Sequence, residues 1–302
     1  MEKVSIILVN YNGSKDTIEC IESILKSTYK NFCIIIVDNK SYKYEFDLLN
    51  NYILSENNSK IILIKGDYNL GFAGGNNIGI KEALKLNSDY VFLLNNDTLI
   101  EKNTIEYILR DINNIKNCGI IAPKICYYPD TKRIWYAGGR INWRKCVTIH
   151  LGEKKIDNGN YDKIKKTDFI TGCAMFIKLD VVKKVGFMPK EYFMYFEDVD
   201  YCEMIKKAGY YLYFDGNAKI YHKVSASSGG EESAFSIEYG TRNRKYFITK
   251  YKKEMGIFNY ISSMFYLYLT RIIKIIIFAF KGDTDKMHAV INGLKGKVIN
   301  NE

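Results

Sequence analysis

The stretch Tyr90-Val-Phe-Leu-Leu-Asn-Asn-Asp97-Thr98 decides how the chain is read. Residues 90–94 are an apolar run with the length and composition of a buried strand. The run stops abruptly at Asn95, Asn96 and Asp97. In an open α/β sheet the ligand crevice lies at the carboxyl ends of the strands, which is where this polar cluster falls. A carboxylate there can hold a divalent cation through hard oxygen ligands, and the cation can grip phosphates. Asn and Asp are also ordinary residues of a turn or helix cap, so the cluster alone leaves both readings open.

Upstream, residues 4–9, 32–37 and 61–64 are further short apolar runs. Helical patterns separate them. Ser14 stands at a cap position, and Ile18, Ile21, Ile24 and Leu25 share the inner face of the first helix. Strands alternating with helices predict parallel βαβ units and an α/β fold. The first strand ends in Asn10-Tyr-Asn-Gly13, which is not the glycine fingerprint of a dinucleotide site. The glycines come one unit too late, in Asn69-Leu-Gly-Phe-Ala-Gly-Gly-Asn-Asn77, and a standard dinucleotide site is not expected. Gly74 and Gly75 let backbone approach a ligand before a helix, with Asn76 and Asn77 as side-chain donors; an ordinary tight turn has the same composition. Asp38, ending the second strand, either accepts a hydrogen bond from a base N–H or caps the next helix.

The 302 residues are 47% hydrophobic, enough for one large domain or a domain with an extension. A net charge of +10 favours phosphate-rich ligands or an anionic membrane surface. No basic arm or nucleic-acid-binding motif accompanies it, and a nucleic-acid partner is not expected. Seven cysteines without a C-x-x-C pair suit a reducing compartment better than a disulfide framework. The N-terminus enters a strand at once, without a signal-peptide pattern.

In the second half, residues 105–115 read as an amphipathic helix and residues 119–124 as a strand. Trp135-Tyr-Ala-Gly-Gly139 with Asn142-Trp143 predicts an aromatic hairpin whose faces pack on a sugar or in the core. Residues 153–166, polar and charged, predict a mobile surface loop. Residues 169–177 read as a strand with Gly172 near its start. The segment from Tyr192 to Asp200 sets Glu197, Asp198 and Asp200 after an aromatic run. As a helix start, their charge complements the macrodipole. Glu197 and Asp198 would project about 100° apart and need not share a task. His222 follows a short strand and is either a structural histidine or a ligand. In Glu238-Tyr-Gly-Thr-Arg242-Asn-Arg244, arginine can pair with phosphate or lie on a solvated helix face.

Taken in order, Val9-Asn-Tyr-Asn12, Val37-Asp-Asn39, Asn69 to Asn77 and Asn95-Asn-Asp97 resemble an inverting family 2 glycosyltransferase, most closely its rhamnosyltransferase-like branch. The resemblance covers about residues 3–250. It implies a GT-A fold, with a nucleotide-sugar-binding half (1–98), an acceptor half (99–250) and a helical C-terminal extension (251–302). It implies a nucleoside-diphosphate sugar donor, dTDP-rhamnose before UDP-hexose. The acceptor would be a hydroxyl of a glycan or lipid-linked glycan in surface polysaccharide synthesis. Asp38 would read the base beside the edge of Val9, Asn10, Tyr11 and Asn12. Asn95 and Asp97 occupy the first and last places of the family's D-x-D element, beside Asn96. Asp97 would ligate Mg²⁺ or Mn²⁺, and His222 would ligate the metal or touch the diphosphate. Asn95 replaces the commoner Asp, so bound nucleotide would help complete the metal site. Gly172 would leave room for the hexose, and Arg242 falls in a Y-x-x-R-N-like element. Glu197-Asp198 matches the E-D element, with Asp198 as catalytic base, Glu197 orienting the acceptor or a nearby loop, and Asp200 structural.

A base is needed because a sugar hydroxyl is a poor nucleophile, and proton removal during attack contributes roughly 10²–10⁴-fold. Two rivals stand beside this reading. A nucleotidyltransferase would turn over a nucleoside triphosphate and would not need Asp198. A catalytically inactive glycosyltransferase-like binding subunit would need neither carboxylate. Residues 255–280 are almost wholly apolar, interrupted by Arg271 and Lys274 and flanked by lysines. They predict helices lying in a membrane interface, or else a homo-oligomer contact. The expected location is the cytoplasm, peripherally at the inner face of the cell membrane.

Overall fold

A computed structural model describes residues 1–224 and 233–298. The Ser/Gly stretch 225–230 reads from its composition as a mobile loop that could close over the donor, and it lies outside the described residues. Strands β1 (Val4–Asn10) and β2 (Phe32–Asp38) are Ile/Val-rich and buried on both faces, as parallel strands covered by crossover helices must be. Helices α1 (Ser14–Leu25) and α2 (Lys43–Glu56) lead to β2 and to β3 (Ile61–Lys65), and α3 (Gly71–Lys85) leads to β4 (Tyr90–Asn95). β1 pairs in parallel with both β2 and β4, and Val9 stands opposite Val37 and Asn95. This register brings Asn10, Asp38 and Asn95 to one end of the sheet.

Two local expectations are corrected. Ser14 does not cap α1; Gly13 holds that position, and the Ser14 hydroxyl donates to the Glu45 carbonyl at 2.7 Å, tying α1 to α2. The glycine run is not an open loop before a helix but the opening turns of α3. Gly71 has φ +69°, and a Cβ there would stand 2.1 Å from the Phe193 carbonyl oxygen. A Cβ at Gly75 would stand 2.7 Å from Val9 Cγ1. These glycines allow close packing of α3 on β1 and on the 192–196 segment.

After β4 come β5 (Thr98–Ile100), α4 (Thr104–Asn114), β6 (Cys118–Tyr127) and β7 (Ile134–Tyr136). The hairpin β8 (Gly139–Asn142) and β9 (Val147–His150) stands apart as its own two-stranded sheet. Then follow β10 (Lys165–Lys166), β11 (Ala174–Lys178), α5 (Leu179–Val185), α6 (Glu197–Lys207) and β12 (Tyr211–His222). The main sheet runs β10-β12-β6-β11-β4-β1-β2-β3, with β5 on β12 and β7 on β6. β11 is antiparallel to both β4 and β6, while β12 is parallel to β6. The predicted strand over 169–177 is thus shorter: residues 169–173 precede β11 as irregular chain and carry Gly172 to the sheet end. The end of β12 pairs with β5 so that His222 faces Thr98, next to Asp97.

The polar stretch 153–166, expected to be mobile, is pinned. Buried Lys124 donates to Asp157 at 2.8 Å and to Asp162, and Lys219 reaches Asp157 at 2.6 Å. A buried ion cluster is costly to break from one side. Lys124→Met should therefore lose about 3 kcal/mol, the low end of the usual range because Lys219 still pairs with Asp157. Urea denaturation checks this, and an unchanged midpoint would contradict it.

The chain closes with α7 (Ala234–Lys250), α8 (Lys252–Lys281) and α9 (Thr284–Lys295). Trp143 of the hairpin stacks on Phe247 of α7 at 6.0 Å. A smaller apolar cluster joins Ile237, Phe278, Ala289 and Val290 across the three helices. Fully buried Asp200 accepts hydrogen bonds from Lys250 Nζ and Tyr251 Oη, both at 2.5 Å, fastening α6 to α7. Helix α8 is long and apolar enough to cross a membrane by length and composition. Its outer face carries Phe258, Phe265 and Phe280, exposed by 87%, 67% and 89%.

Candidate active site

The carboxyl ends of β1 and β4 open into a cleft of about 1010 Å³. The sheet side contributes Val9, Tyr11, Asn39, Asn69 and Asn76, then Asn95, Asn96 and Asp97. Gly172, Glu197, Asp198 and His222 complete the predicted residues that line it. Residues far apart in sequence are thus gathered by strand register rather than by any local motif.

Asp97 sits in the turn between β4 and β5, buried, with His222 Nε2 3.1 Å from its Oδ1. The two atoms are close enough for an ion pair but are not aligned as a hydrogen bond. Oδ1 of Asp97 and Nδ1 of His222 are both buried without a hydrogen-bond partner. Among the described residues no three His, Cys, Asp or Glu side chains converge as a metal site. Asp97 and His222 are therefore two ligands at most. An unsatisfied carboxylate oxygen beside an imidazole fits a divalent cation whose other ligands are oxygens of a bound phosphate or water.

The two acidic residues opening α6 have different surroundings. Asp198 accepts from the backbone N–H of Gly172 and of Val199, each at 2.8 Å. Glu197 Oε2 is buried and has no partner. Burial pushes the Glu197 carboxyl well above its usual range, and the Asp198 charge beside it adds to this. Burial also raises Asp198, but the backbone donors oppose the shift by stabilising its charge. Neighbouring carboxyls whose environments drive their proton affinities apart mark an acid and a base. Of the two, Asp198 has the backbone donors that favour a charged carboxylate, and Glu197 has a buried oxygen with no partner.

The segment before α6 is held in an unusual shape. Phe193, Tyr195 and Phe196 have φ of 65°, 73° and 75°. Asn243 Nδ2 contacts the carbonyls of Tyr192, Met194 and Tyr195 at 2.8, 2.7 and 3.0 Å, and Arg242 Nη2 donates to Tyr192 at 3.0 Å. Arg242, expected in the nucleotide-sugar site, instead supports this segment and does not line the cleft. Arg244, two residues on, does line it. Positions two apart on a helix point about 200° apart, so the one motif serves two faces.

Other expected binders also lie outside the cleft wall. Asn77 is bound in both directions to the Met188 backbone, at 2.8 and 3.0 Å, locking α3 to the 188 segment. Gly74 packs on Leu70. Asn10 donates to Asp38 Oδ2 at 2.9 Å, and Ser41 N–H donates to Asp38 Oδ1 at 3.0 Å. The Asn12 side chain accepts from Tyr42 N–H at 2.8 Å. Asn10, Asn12 and Asp38 together brace the β1 and β2 ends that present Tyr11 and Asn39. The sequence reading left Trp135 and Arg244 open between a binding and a structural role and did not single out His150 or Arg271 as binders; all four line the cleft. Trp135 packs edge-on against both His150 and His222, at 4.6 and 4.7 Å between ring centres. Aromatic composition in the hairpin was the available signal; nothing local gave its direction.

A mostly parallel sheet, an inserted antiparallel strand and a large cleft at the strand ends make a GT-A fold. The chain belongs to glycosyl transferase family 2, whose family model matches residues 5–186. It is 25% identical over 254 residues to a low-salt glycan biosynthesis hexosyltransferase of Haloferax volcanii, covering 81% of this chain and 75% of that one. A shorter match, 42% identical over 98 residues, is to the Escherichia coli UDP-Glc:alpha-D-GlcNAc-diphosphoundecaprenol beta-1,3-glucosyltransferase, covering 32% of this chain and only 36% of that one. Among solved structures, a Pyrobaculum calidifontis mannosyltransferase in complex with GDP-Man and Mn²⁺ superposes with a TM-score of 0.61 at 11% identity, covering 99% of this chain and 88% of that one. GalNAc-T7 with UDP, GalNAc and Mn²⁺ gives 0.64 at 15% identity, covering 80% of this chain but 47% of that one. Both establish the fold. Family membership decides against the nucleotidyltransferase alternative.

Proposed function

We propose that the protein is a metal-dependent, inverting glycosyltransferase that moves a sugar from a nucleoside-diphosphate donor to a hydroxyl of a glycan or lipid-linked glycan. The observation that carries this is the meeting of Asp97, His222 and Asp198 in one cleft at the sheet's carboxyl end. The base lies along the edge of Val9, Tyr11 and Asn39, with Asp38 behind it. Asp97 and His222 would hold Mg²⁺ or Mn²⁺, as the neighbours with bound Mn²⁺ suggest. Such a cation supplies electrostatic stabilisation of a departing diphosphate. Gly172, whose added Cβ would meet the Phe72 ring at 2.9 Å, keeps its N–H on Asp198. Asp198 takes the proton from the attacking acceptor hydroxyl. Attack opposite the leaving group inverts the anomeric centre, and no second carboxylate nucleophile is needed. The order of donors remains dTDP-rhamnose, then UDP-hexose; the E. coli relative's UDP-Glc gives the second independent support. That relative's diphosphoundecaprenol acceptor supports a lipid-linked acceptor.

The test is thermal stability against nucleoside diphosphates and their sugars, with and without Mn²⁺, since ligands of the native state raise the midpoint. A metal-dependent shift with dTDP or UDP is expected. No shift with any nucleoside diphosphate would sink the reading.

The outer face of α8 rests on a membrane surface in this proposal. Exposed Phe258, Phe265 and Phe280 lie between Lys252, Lys253 and Lys281, an apolar face bordered by cations. Arg271 and Lys274 do not interrupt that face, because both line the cleft. Phe265→Asp should reduce co-sedimentation with phosphatidylglycerol vesicles roughly tenfold. Equal sedimentation, with dissociation of an oligomer instead, would assign the face to a second copy.

A further inference from the structure

The cleft has a second wall, built by α7, α8 and the turn of the β8–β9 hairpin, that the transfer chemistry above does not use. Arg244 of α7 and Arg271 of α8 both line it. Arg244 is only 6% exposed, and one Nη donates to the Lys145 carbonyl in the hairpin turn. Its Nε is buried without a partner, and so is the Nε of Arg271. Among the described residues neither guanidinium has a carboxylate within ion-pair distance. Burial and the charge of Arg271 together lower Arg244 to about 10, which is the mark of two cations sharing a dry place without a counter-charge. Tyr266, from the same helix as Arg271, has its ring 5.4 Å from the Arg244 guanidinium.

Buried charge is retained at a cost unless something pairs with it. Planar guanidinium groups with free N–H donors match phosphate oxygens, and two of them suit a doubly charged anion. The donor diphosphate has its own place in the reading above, beside Asp97 and His222. Arg271 belongs to the helix whose other face is exposed Phe and Ile, and Arg244 stands beside it on α7. A molecule that enters from that side with an anionic head and an apolar tail would put its head on the arginines and its tail along α8.

We infer that Arg244 and Arg271 form an acceptor-side anion site, which takes the diphosphate of a lipid-linked acceptor and sets its sugar hydroxyl against Asp198. This rests on the transferase reading of the cleft and adds the residues that would hold a lipid-linked acceptor, through its diphosphate.

The test uses full-length protein, wild type and Arg271→Gln, with farnesyl diphosphate as probe, farnesol as its neutral counterpart, and UDP and dTDP as donor-side ligands. Gln removes an unpaired buried cation, so the ligand-free thermal midpoint should hold or rise, whereas loss of a merely structural arginine would lower it. Farnesyl diphosphate should bind the variant roughly ten- to a hundredfold more weakly, as expected for losing a charge-assisted pair. Farnesol, UDP and dTDP binding should not change, and Arg271→Lys should recover some of the loss. Wild type that fails to bind farnesyl diphosphate, an unchanged affinity in Arg271→Gln, or an equal loss for UDP or dTDP would each overturn the inference. If no nucleoside diphosphate binds wild type while farnesyl diphosphate binding depends on Arg271, the anion site stands and the transferase reading fails.

Discussion

Asp198→Asn is expected to lower sugar transfer by roughly 10²–10⁴-fold, the contribution of a positioned general base, while nucleoside-diphosphate affinity stays within about twofold. The amide keeps the shape of the carboxylate and can still accept from Gly172 N–H, which bonds Asp198 at 2.8 Å. It cannot take a proton from the acceptor. The pH profile of the wild type adds a second signature. Burial raises Asp198 above the ordinary carboxylate range. A raised value means the folded protein holds the proton more tightly, so the active carboxylate is lost as pH falls through that raised value. The acid limb of kcat/KM should therefore sit above the pH where an exposed aspartate titrates. Glu197→Gln should leave transfer largely intact, because burial and the neighbouring Asp198 charge push the Glu197 carboxyl up and favour its neutral form. If Glu197→Gln instead abolished transfer and Asp198→Asn did not, the roles would be reversed.

Asp97→Asn should have the second large effect. Asp97 is the single carboxylate at the proposed metal position, because Asn95 stands where a second would be. Neutralising it leaves His222 as the lone charged or ligating side chain there. Metal-dependent binding of the nucleoside diphosphate should weaken roughly a hundredfold or more, since even outer-shell partners of a metal ligand are worth 10–100-fold. Metal-independent binding, carried by the Val9, Tyr11 and Asn39 edge, should change little. Titration calorimetry with and without Mn²⁺ separates the two. If the variant keeps a full Mn²⁺ dependence, Asp97 is not a ligand.

The nucleotide-binding half was legible because its strands are short, apolar and uninterrupted, and because each ends in residues that stop a strand. Residues 90–94 are a strand whatever surrounds them, and Asp97 follows at its end. The parallel pairing of β1 with β4 then brings Val9 opposite Asn95 without further information. What could not be read was direction. Asn76 and Asn77 are adjacent in sequence, yet Asn76 lines the cleft while Asn77 binds the Met188 backbone. Arg242 and Arg244 diverge in the same way on α7. A helix face is chosen by what packs on it, and the partners here, residues 192–196 and the hairpin turn at Lys145, are distant in sequence. The glycines of α3 misled for a related reason: a ligand approaching backbone and a helix pressed on Val9 demand the same missing Cβ. Residues 153–166 looked mobile because they are charged, but Lys124 and Lys219 supply counter-charges from β6 and β12. In α8, Arg271 and Lys274 read as breaks in an apolar helix. They are its cleft-facing side, and the apolar side continues past them.

The most direct test of the central claim is nucleoside-diphosphate release. Wild type and Asp198→Asn would be incubated with dTDP-rhamnose or a UDP-hexose, Mn²⁺ and a lipid-extract acceptor, and free dTDP or UDP measured against time. The account predicts acceptor-dependent release by wild type with at least one donor and almost none by Asp198→Asn. Equal release by the two proteins, or no acceptor-dependent release with any of these donors, would contradict it.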